Sequence, residues 1–190
     1  LADFNKAMDY ILPIEGGFVN DPNDPGGATK YGISLRFLKS VGQFDGFDGD
    51  KDKDGDIDVD DILLLSKSDA GVIYKREFWN MFRYSQINDD NIATKLMDFS
   101  INIGPYYAHK IIQRALNLLP PKPKQTKEYL KVDGNLGPRT MAAINNARPE
   151  RLMLTIQAVL ATYYVDITES NHVFEEYICG WISKKVLGNP

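Results

Sequence analysis

Apolar residues recur at helical spacing over most of this chain. Phe4, Met8, Ile11 and Leu12 fall at i, i+4, i+7 and i+8, one face of an amphipathic helix. Ile92, Leu96, Phe99 and Ile103 repeat the pattern. Ala108, Ile111, Ile112, Ala115, Leu116 and Leu119 form another stripe. Pro138 sits where proline favours a helix start, and Thr140 to Ile144 continue from it. Leu152 to Tyr164 predicts a long helix of apolar and small residues, and Phe174, Tyr177, Ile178 and Trp181 mark a last one. Strand signals are weak, limited to a short hairpin within residues 18–33. The expected fold is mainly α with little β.

The first helix is punctuated in an informative way. Pro13 disfavours helical geometry at Leu12, and Gly16-Gly17 supply permissive backbone just beyond. The helix is therefore expected to end or kink around residues 12–16, with Glu15 at its tip. Beside Ile14 and Phe18, that carboxyl group is expected to lose hydration, which disfavours its charged form and raises its pKa. A general acid working near neutral pH needs such an environment. An isolated glutamate is more often a surface carboxylate beside a turn, so the flanking residues carry the argument. They are a loop of Gly, Pro, Asn and Asp, then Thr29 and Tyr31-Gly32-Ile33-Ser34.

A second signal is the run D-K-D-K-D-G-D-I-D-V-D-D from Asp50. It follows the EF-hand loop pattern. Asp50, Asp52 and Asp54 take loop positions 1, 3 and 5, and Gly55 takes position 6, where the sharp turn needs positive φ. Asp56 offers its carbonyl from position 7, Ile57 packs inward from position 8, and Asp58 takes position 9. Asp61 stands at position 12, where the longer glutamate is usual. Ile62 to Leu65 supply the exit helix. The expected ligand is one Ca2+, structural or regulatory, and the alternative is a solvated acidic loop. A dockerin-type interaction module ends its loop in Asp as well, but the loop is not repeated here.

Charge and composition narrow the class. The net charge is −4, yet residues 45–61 hold nine Asp and two Lys, so the rest of the chain is +3. A mildly basic body suits an anionic polymer. The stretch 121–151 has seven Lys/Arg against three Asp/Glu, either a face that steers the chain to an anionic polymer or an ordinary solvated one. The estimated pI near 5.2 argues against nucleic acid. No apolar run is long enough to span a membrane. The opening Leu-Ala-Asp-Phe is not a basic-then-apolar secretory signal, so the expectation is a signal already removed or another route of export. The single cysteine, Cys179, excludes an internal disulfide framework, and its neighbours Ile178 and Trp181 predict a buried thiol. His109 and His172 show no metal-ligand spacing, and the expected state is a monomer.

The run Glu15-Gly16-Gly17, Asn20-Asp21-Pro22, Asp24-Pro25-Gly26-Gly27, Thr29, Tyr31-Gly32-Ile33-Ser34 resembles glycoside hydrolase family 108. Asp98-Phe99-Ser100-Ile101-Asn102-Ile103-Gly104-Pro105, with Ala108 and Gln113-Arg114-Ala115-Leu116, is similar to that family's second helix signature. Val132-Asp133-Gly134-Asn135-Leu136-Gly137-Pro138-Arg139-Thr140 resembles the start of the peptidoglycan-binding region that accompanies it. The resemblance implies a lysozyme-like N-acetylmuramidase of the phage endolysin or "secretion activator" type. It implies residues 1–119 as catalytic domain, with 42–73 as a calcium-loop insertion, and 120–190 as a helical wall-binding region. It implies cleavage of the β-1,4 MurNAc–GlcNAc bond at the cell wall, periplasmic or extracellular, with Glu15 as acid. Phage-type lysozymes place Asp and Thr after the Glu. Asp24 and Thr29 hold those places here, with Thr29 one residue early. A partner acid is sought among Asp21, Asp24 and Asp98. Asn20, Tyr31 and Asn102 are the expected substrate-binding residues. The rival reading is a non-catalytic wall-binding or secretion-accessory protein on the same fold.

Overall fold

The computed structural model describes residues 1–20, 26–121, 129–188 and 190, and at residue 15 it covers the backbone. Helix dominates, as the periodicity predicts. Among the described residues the strands are four two-residue pieces that pair as two antiparallel hairpins.

Helix α1 (Phe4–Glu15) keeps Pro13 inside its last turn and stops at Glu15, where Gly16 takes φ +74°. Its apolar face buries Ala7, Met8 and Ile11. From there the chain divides into two compact units, Met8–Met81 and Leu1–Ala7 with Phe82–Pro190.

The first unit is assembled from short elements. Strands β1 (Thr29–Lys30) and β2 (Ile33–Ser34) form one hairpin. Helix α2 (Leu35–Val41) is capped by Ser34, whose Oγ accepts from the Phe37 amide at 3.2 Å, and Gly42 ends it at φ +58°. Strands β3 (Gln43–Phe44) and β4 (Phe47–Asp48) form the second hairpin, with Phe44 and Phe47 stacked at 5.0 Å. Helices α3 (Val59–Leu64) and α4 (Lys67–Tyr74) both open on capping boxes, Asp58 with Asp61 and Ser66 with Asp69. A wider π turn, Lys75–Asn80, extends α4. Ile33, Leu38, Ile62, Leu65, Ile73 and Tyr74 fill the core.

The second unit is built on longer helices. These are α5 (Asp90–Ile103), α6 (Pro105–Leu118), α7 (Pro138–Asn146) and α8 (Pro149–Ser170). Proline occupies the first turn of α6, α7 and α8, where its missing N–H costs no helical bond. Leu152, Ile156, Leu160 and Tyr164 run down one face of α8 and are buried. Lys95 is buried and donates from Nζ to the carbonyls of Lys185, at 2.6 Å, and Gly188. Burial lowers its pKa to about 8. Lys185 in turn pairs with fully buried Asp98 at 3.0 Å.

Two expectations fail near the C-terminus. The last helix is broken into a 3₁₀ turn at His172–Phe174, a one-turn helix α9 (Ile178–Gly180) and a π turn at Trp181–Val186. Asn171 interrupts the chain by accepting the Val173 amide at its side chain, which restarts the backbone after α8. Cys179 is exposed, not a buried thiol. Trp181, two residues on, takes the inward position and stacks on Tyr164 at 5.0 Å. No helix among the described residues is long and apolar enough to cross a membrane.

Candidate active site and acidic loop

Glu15 is the last residue of α1, and the positive φ of Gly16 turns the chain off the helix there. Phe18 and Val19 follow with exposures of 38% and 61%. Val19 and Thr29 then exchange two backbone hydrogen bonds, 2.8 and 2.7 Å, and close the base of the intervening loop. Its far side is tied to the start of α2, where Leu35 N donates to Ala28 O and Arg36 N to Gly26 O. Asp21 and Asp24, with the rest of residues 21–25, lie outside the described residues.

The remaining predicted site residues divide by setting. Thr29 is half-buried, and among the described residues its hydroxyl makes a long contact, 3.4 Å, to Gly27 O. Tyr31 and Gly32 are the two central residues of the β1–β2 turn, at φ +52° and +74°, as a type I′ connection requires. The Tyr31 carbonyl accepts from the Tyr74 hydroxyl at 2.8 Å, and Lys30 Nζ lies 5.5 Å from the Tyr31 ring. Asn20 and Asn102 are exposed, and Asn102 Oδ1 accepts from Tyr164 at 2.8 Å. Asp98 is enclosed with Lys185, which argues against its reaching a substrate.

The acidic loop folds around its own carboxylates. Asp50 accepts the amides of Lys53 (2.7 Å) and Gly55 (3.1 Å), and Gly55 has φ +107°, as position 6 demands. Asp61 is 1% exposed and accepts the amides of Lys51, Asp52 and Asp58. One carboxylate oxygen from each of Asp50, Asp52 and Asp54 lies within 4.8 Å of the others, and the same holds for Asp56, Asp58 and Asp61. Desolvation, then the charges of Asp54, Asp61 and Asp50, push the Asp52 pKa up. Asp54 foremost raises that of Asp56. Ile57 lies so close to Gly49 that a Cβ there would sit 2.9 Å from its Cδ1. The element before the loop is the β3–β4 hairpin rather than a helix, so only the exit half of an EF-hand is present.

Two tethers had no counterpart in the sequence reading. Lys30 Nζ donates to the Leu63 carbonyl and so joins the site hairpin to α3, the helix leaving the acidic loop. Tyr74 joins the same hairpin to α4. Each spans more than thirty residues. The only local hint was a tyrosine and a lysine beside a tight turn.

Comparison with known proteins agrees with this geometry. A model of the family described as "Glycosyl hydrolase 108" matches residues 8–104, and one described as "Predicted Peptidoglycan domain" matches residues 107–186. The two meet where α5 gives way to α6. No curated protein matches the chain. Among solved structures, "Structure of Brucella abortus SagA" matches with a TM-score of 0.71 at 25% identity, covering 96% of this chain and 88% of that one. Peptidoglycan is thereby the partner, and the wall, outside the cytoplasmic compartment, the place of action. Since the first match takes in Glu15, the bridged loop and both hairpins over just over half of the chain, the chain belongs to the glycosyl hydrolase 108 family and is a glycoside hydrolase acting on peptidoglycan.

Proposed function

We propose that this glycoside hydrolase is an N-acetylmuramidase that cleaves the β-1,4 bond between MurNAc and GlcNAc with Glu15 as general acid. One observation carries the reading: α1 ends at Glu15 on a positive-φ glycine, beside a loop whose base is closed by the Val19–Thr29 bridge. A helix end fixed on one side and a bridged loop on the other hold an acid against a sugar without relying on a flexible side chain alone. Glu15 protonates the leaving glycosidic oxygen. Asp24 orients the attacking water or offsets positive charge at the anomeric carbon, with Thr29 helping to hold that water. Asn20 and Tyr31 contact the sugars. A separation of about 6.5–9.5 Å between acid and base carboxyl groups gives inversion, and about 5–5.5 Å gives retention.

The test is Glu15→Gln, nearly isosteric but without the acid proton. Wall lysis, read as turbidity loss, is expected to fall by about 10²–10⁴-fold with an unchanged circular dichroism spectrum. Retained activity above a few per cent of wild type would sink the assignment.

The acidic loop is proposed to hold one Ca2+ through the side chains of Asp50, Asp52, Asp54, Asp58 and Asp61 and the Asp56 carbonyl. The donor set is all oxygen, as a hard cation prefers. The gathered carboxylates and the raised pKa values of Asp52 and Asp56 are the cost of that set without a cation. Support for an effect on the site comes from Lys30, which ties α3 to β1, whose Thr29 closes the Glu15 loop.

A further inference from the structure

Beyond the cleavage site, one surface of the second unit carries a row of tyrosines that the hydrolytic reading does not use. Tyr106 and Tyr107 open α6 and are 54% and 50% exposed. Their ring centroids lie 5.3 Å apart. Tyr107 lies 5.9 Å from Tyr163 on α8, which is half-buried. Tyr163 neighbours Tyr164 at 5.7 Å, and Tyr164 stacks on Trp181 at 5.0 Å. Tyr177, also 50% exposed, stacks on Trp181 at 6.0 Å. Tyr164 is itself buried, so the row opens to solvent at Tyr106, Tyr107 and Tyr163 and again at Tyr177.

We infer that this tyrosine row, centred on Tyr107 and Tyr163, is the surface on which the glycan strand of peptidoglycan lies. The inference rests on peptidoglycan being the partner and on the match over residues 107–186. Exposed aromatic patches mark interaction sites more often than chance. The chemistry points to sugar rather than to the acidic stem peptide. Pyranose rings present a face of C–H bonds that stacks on the negative face of an aromatic ring, and a tyrosine hydroxyl at the rim meets the sugar hydroxyls. Lys110 Nζ lies 4.9 Å from the Tyr106 ring. The same ring packs on Gly134, where an added Cβ would sit 2.7 Å from Tyr106 Cδ2. Tyr106 is thus the fixed rim, and Tyr107 with Tyr163 the platform. The Tyr164 hydroxyl also donates to Asn102 Oδ1, so exposed Asn102 offers its amide N–H groups beside the row to an N-acetyl carbonyl.

The test is co-sedimentation of the full chain with purified sacculi in the cold, where binding is read without turnover. Failure of the Glu15 assignment leaves this result untouched. The wild-type chain is expected to pellet and to be released by soluble, peptide-free glycan strands. Tyr107→Ala with Tyr163→Ala is expected to weaken pelleting by about tenfold or more. Tyr107→Phe with Tyr163→Phe keeps the ring faces and is expected to retain most binding. If the alanine pair disturbs the circular dichroism spectrum, competition by strands and the phenylalanine pair still decide. Pelleting of a folded alanine pair at wild-type strength overturns the inference. So does release by free stem peptides instead of strands. A change of the row variants from dimer to monomer in light scattering also overturns it, since the row would then join two copies of this chain.

Discussion

The two units hold their shapes by different means. In Met8–Met81, backbone devices dominate. Gly16, Gly27, Tyr31, Gly32, Gly42, Gly46, Lys53 and Gly55 all have positive φ, against Arg83, Gly104 and Gly134 in the other unit among the described residues. Its helices are short, and its charged groups are exposed or gathered in one loop. The second unit relies on long helices with continuous apolar faces, and its buried polar groups, such as Lys95, Asp98, His109 and Gln113, are hydrogen-bonded within it. The difference tracks the proposed chemistry. A reacting group and an ion site need loops with fixed, unusual backbone, whereas a platform for polymer needs a rigid helical base.

Several perturbations probe that contrast. The largest expected loss is in the helical unit. Leu160 is fully buried on α8, and Leu160→Ala is expected to cost about 2–5 kcal/mol in urea unfolding through lost burial and the cavity left behind.

Acid separates the units next. His109 is buried, its Nδ1 bonded to Gly134 O at 3.0 Å and its Nε2 to the Tyr84 hydroxyl at 2.8 Å. The Gly134 carbonyl needs an N–H at Nδ1, which leaves Nε2 to accept. Burial lowers the His109 pKa from 6.5 to about 4, partly offset by the Gly134 bond. A lowered histidine pKa means the unfolded chain binds the proton first. Stability is therefore full above 6.5 and falls as pH drops towards 4, by about 3 kcal/mol from this group. His109→Gln is expected to flatten that part of the pH profile. In the acidic loop the sign reverses. The pKa of Asp52 is raised by desolvation first and that of Asp56 by the charge of Asp54 first, so protonation removes a cost in the folded loop and acid eases it when calcium is absent.

Calcium comes third. Chelation is expected to lower the melting temperature, and a free-ion concentration a hundredfold above Kd to restore about 2.7 kcal/mol. Asp50→Ala with Asp52→Ala is expected to behave like the chelated protein. No binding heat and no change in melting would leave the run a solvated loop. The smallest effect is Gly55→Ala. Nothing lies within 4 Å of a Cβ there, so the cost is purely that of φ +107°, about 1–2 kcal/mol in the calcium-loaded protein.

Much of this was legible before the structure. Pro13 and Gly16-Gly17 predicted a helix ending at Glu15, and α1 stops there. The stripes Ile92–Ile103 and Ala108–Leu119 became the inner faces of α5 and α6, buried as far as Phe99 and Ala115 and half-buried at Ile103, Leu116 and Leu119. Gly55 took the positive φ its loop position required. These signals are local: a period, a cap or a turn residue acts over a few positions. What stayed hidden depends on distant partners. Asp98 looked available until Lys185, eighty-seven residues away, enclosed it. Cys179 looked buried because its neighbours are apolar, but a one-turn helix can face only part of itself inward, and Trp181 took that place. The Lys30 and Tyr74 tethers were likewise set by tertiary contact.

For the catalytic pair, Asp24→Asn is expected to cost more activity than Asp21→Asn, and the reverse order in a lysis assay would displace Asp24 from its role. The most direct measurement of the central claim is the identity of the new ends. Purified peptidoglycan is digested with the wild-type chain, reduced, and the fragments are read by mass spectrometry. The account predicts MurNAc at the new reducing ends, with no such ends from the Glu15→Gln chain. New reducing ends on GlcNAc, or equal release by the Glu15→Gln chain, would contradict it.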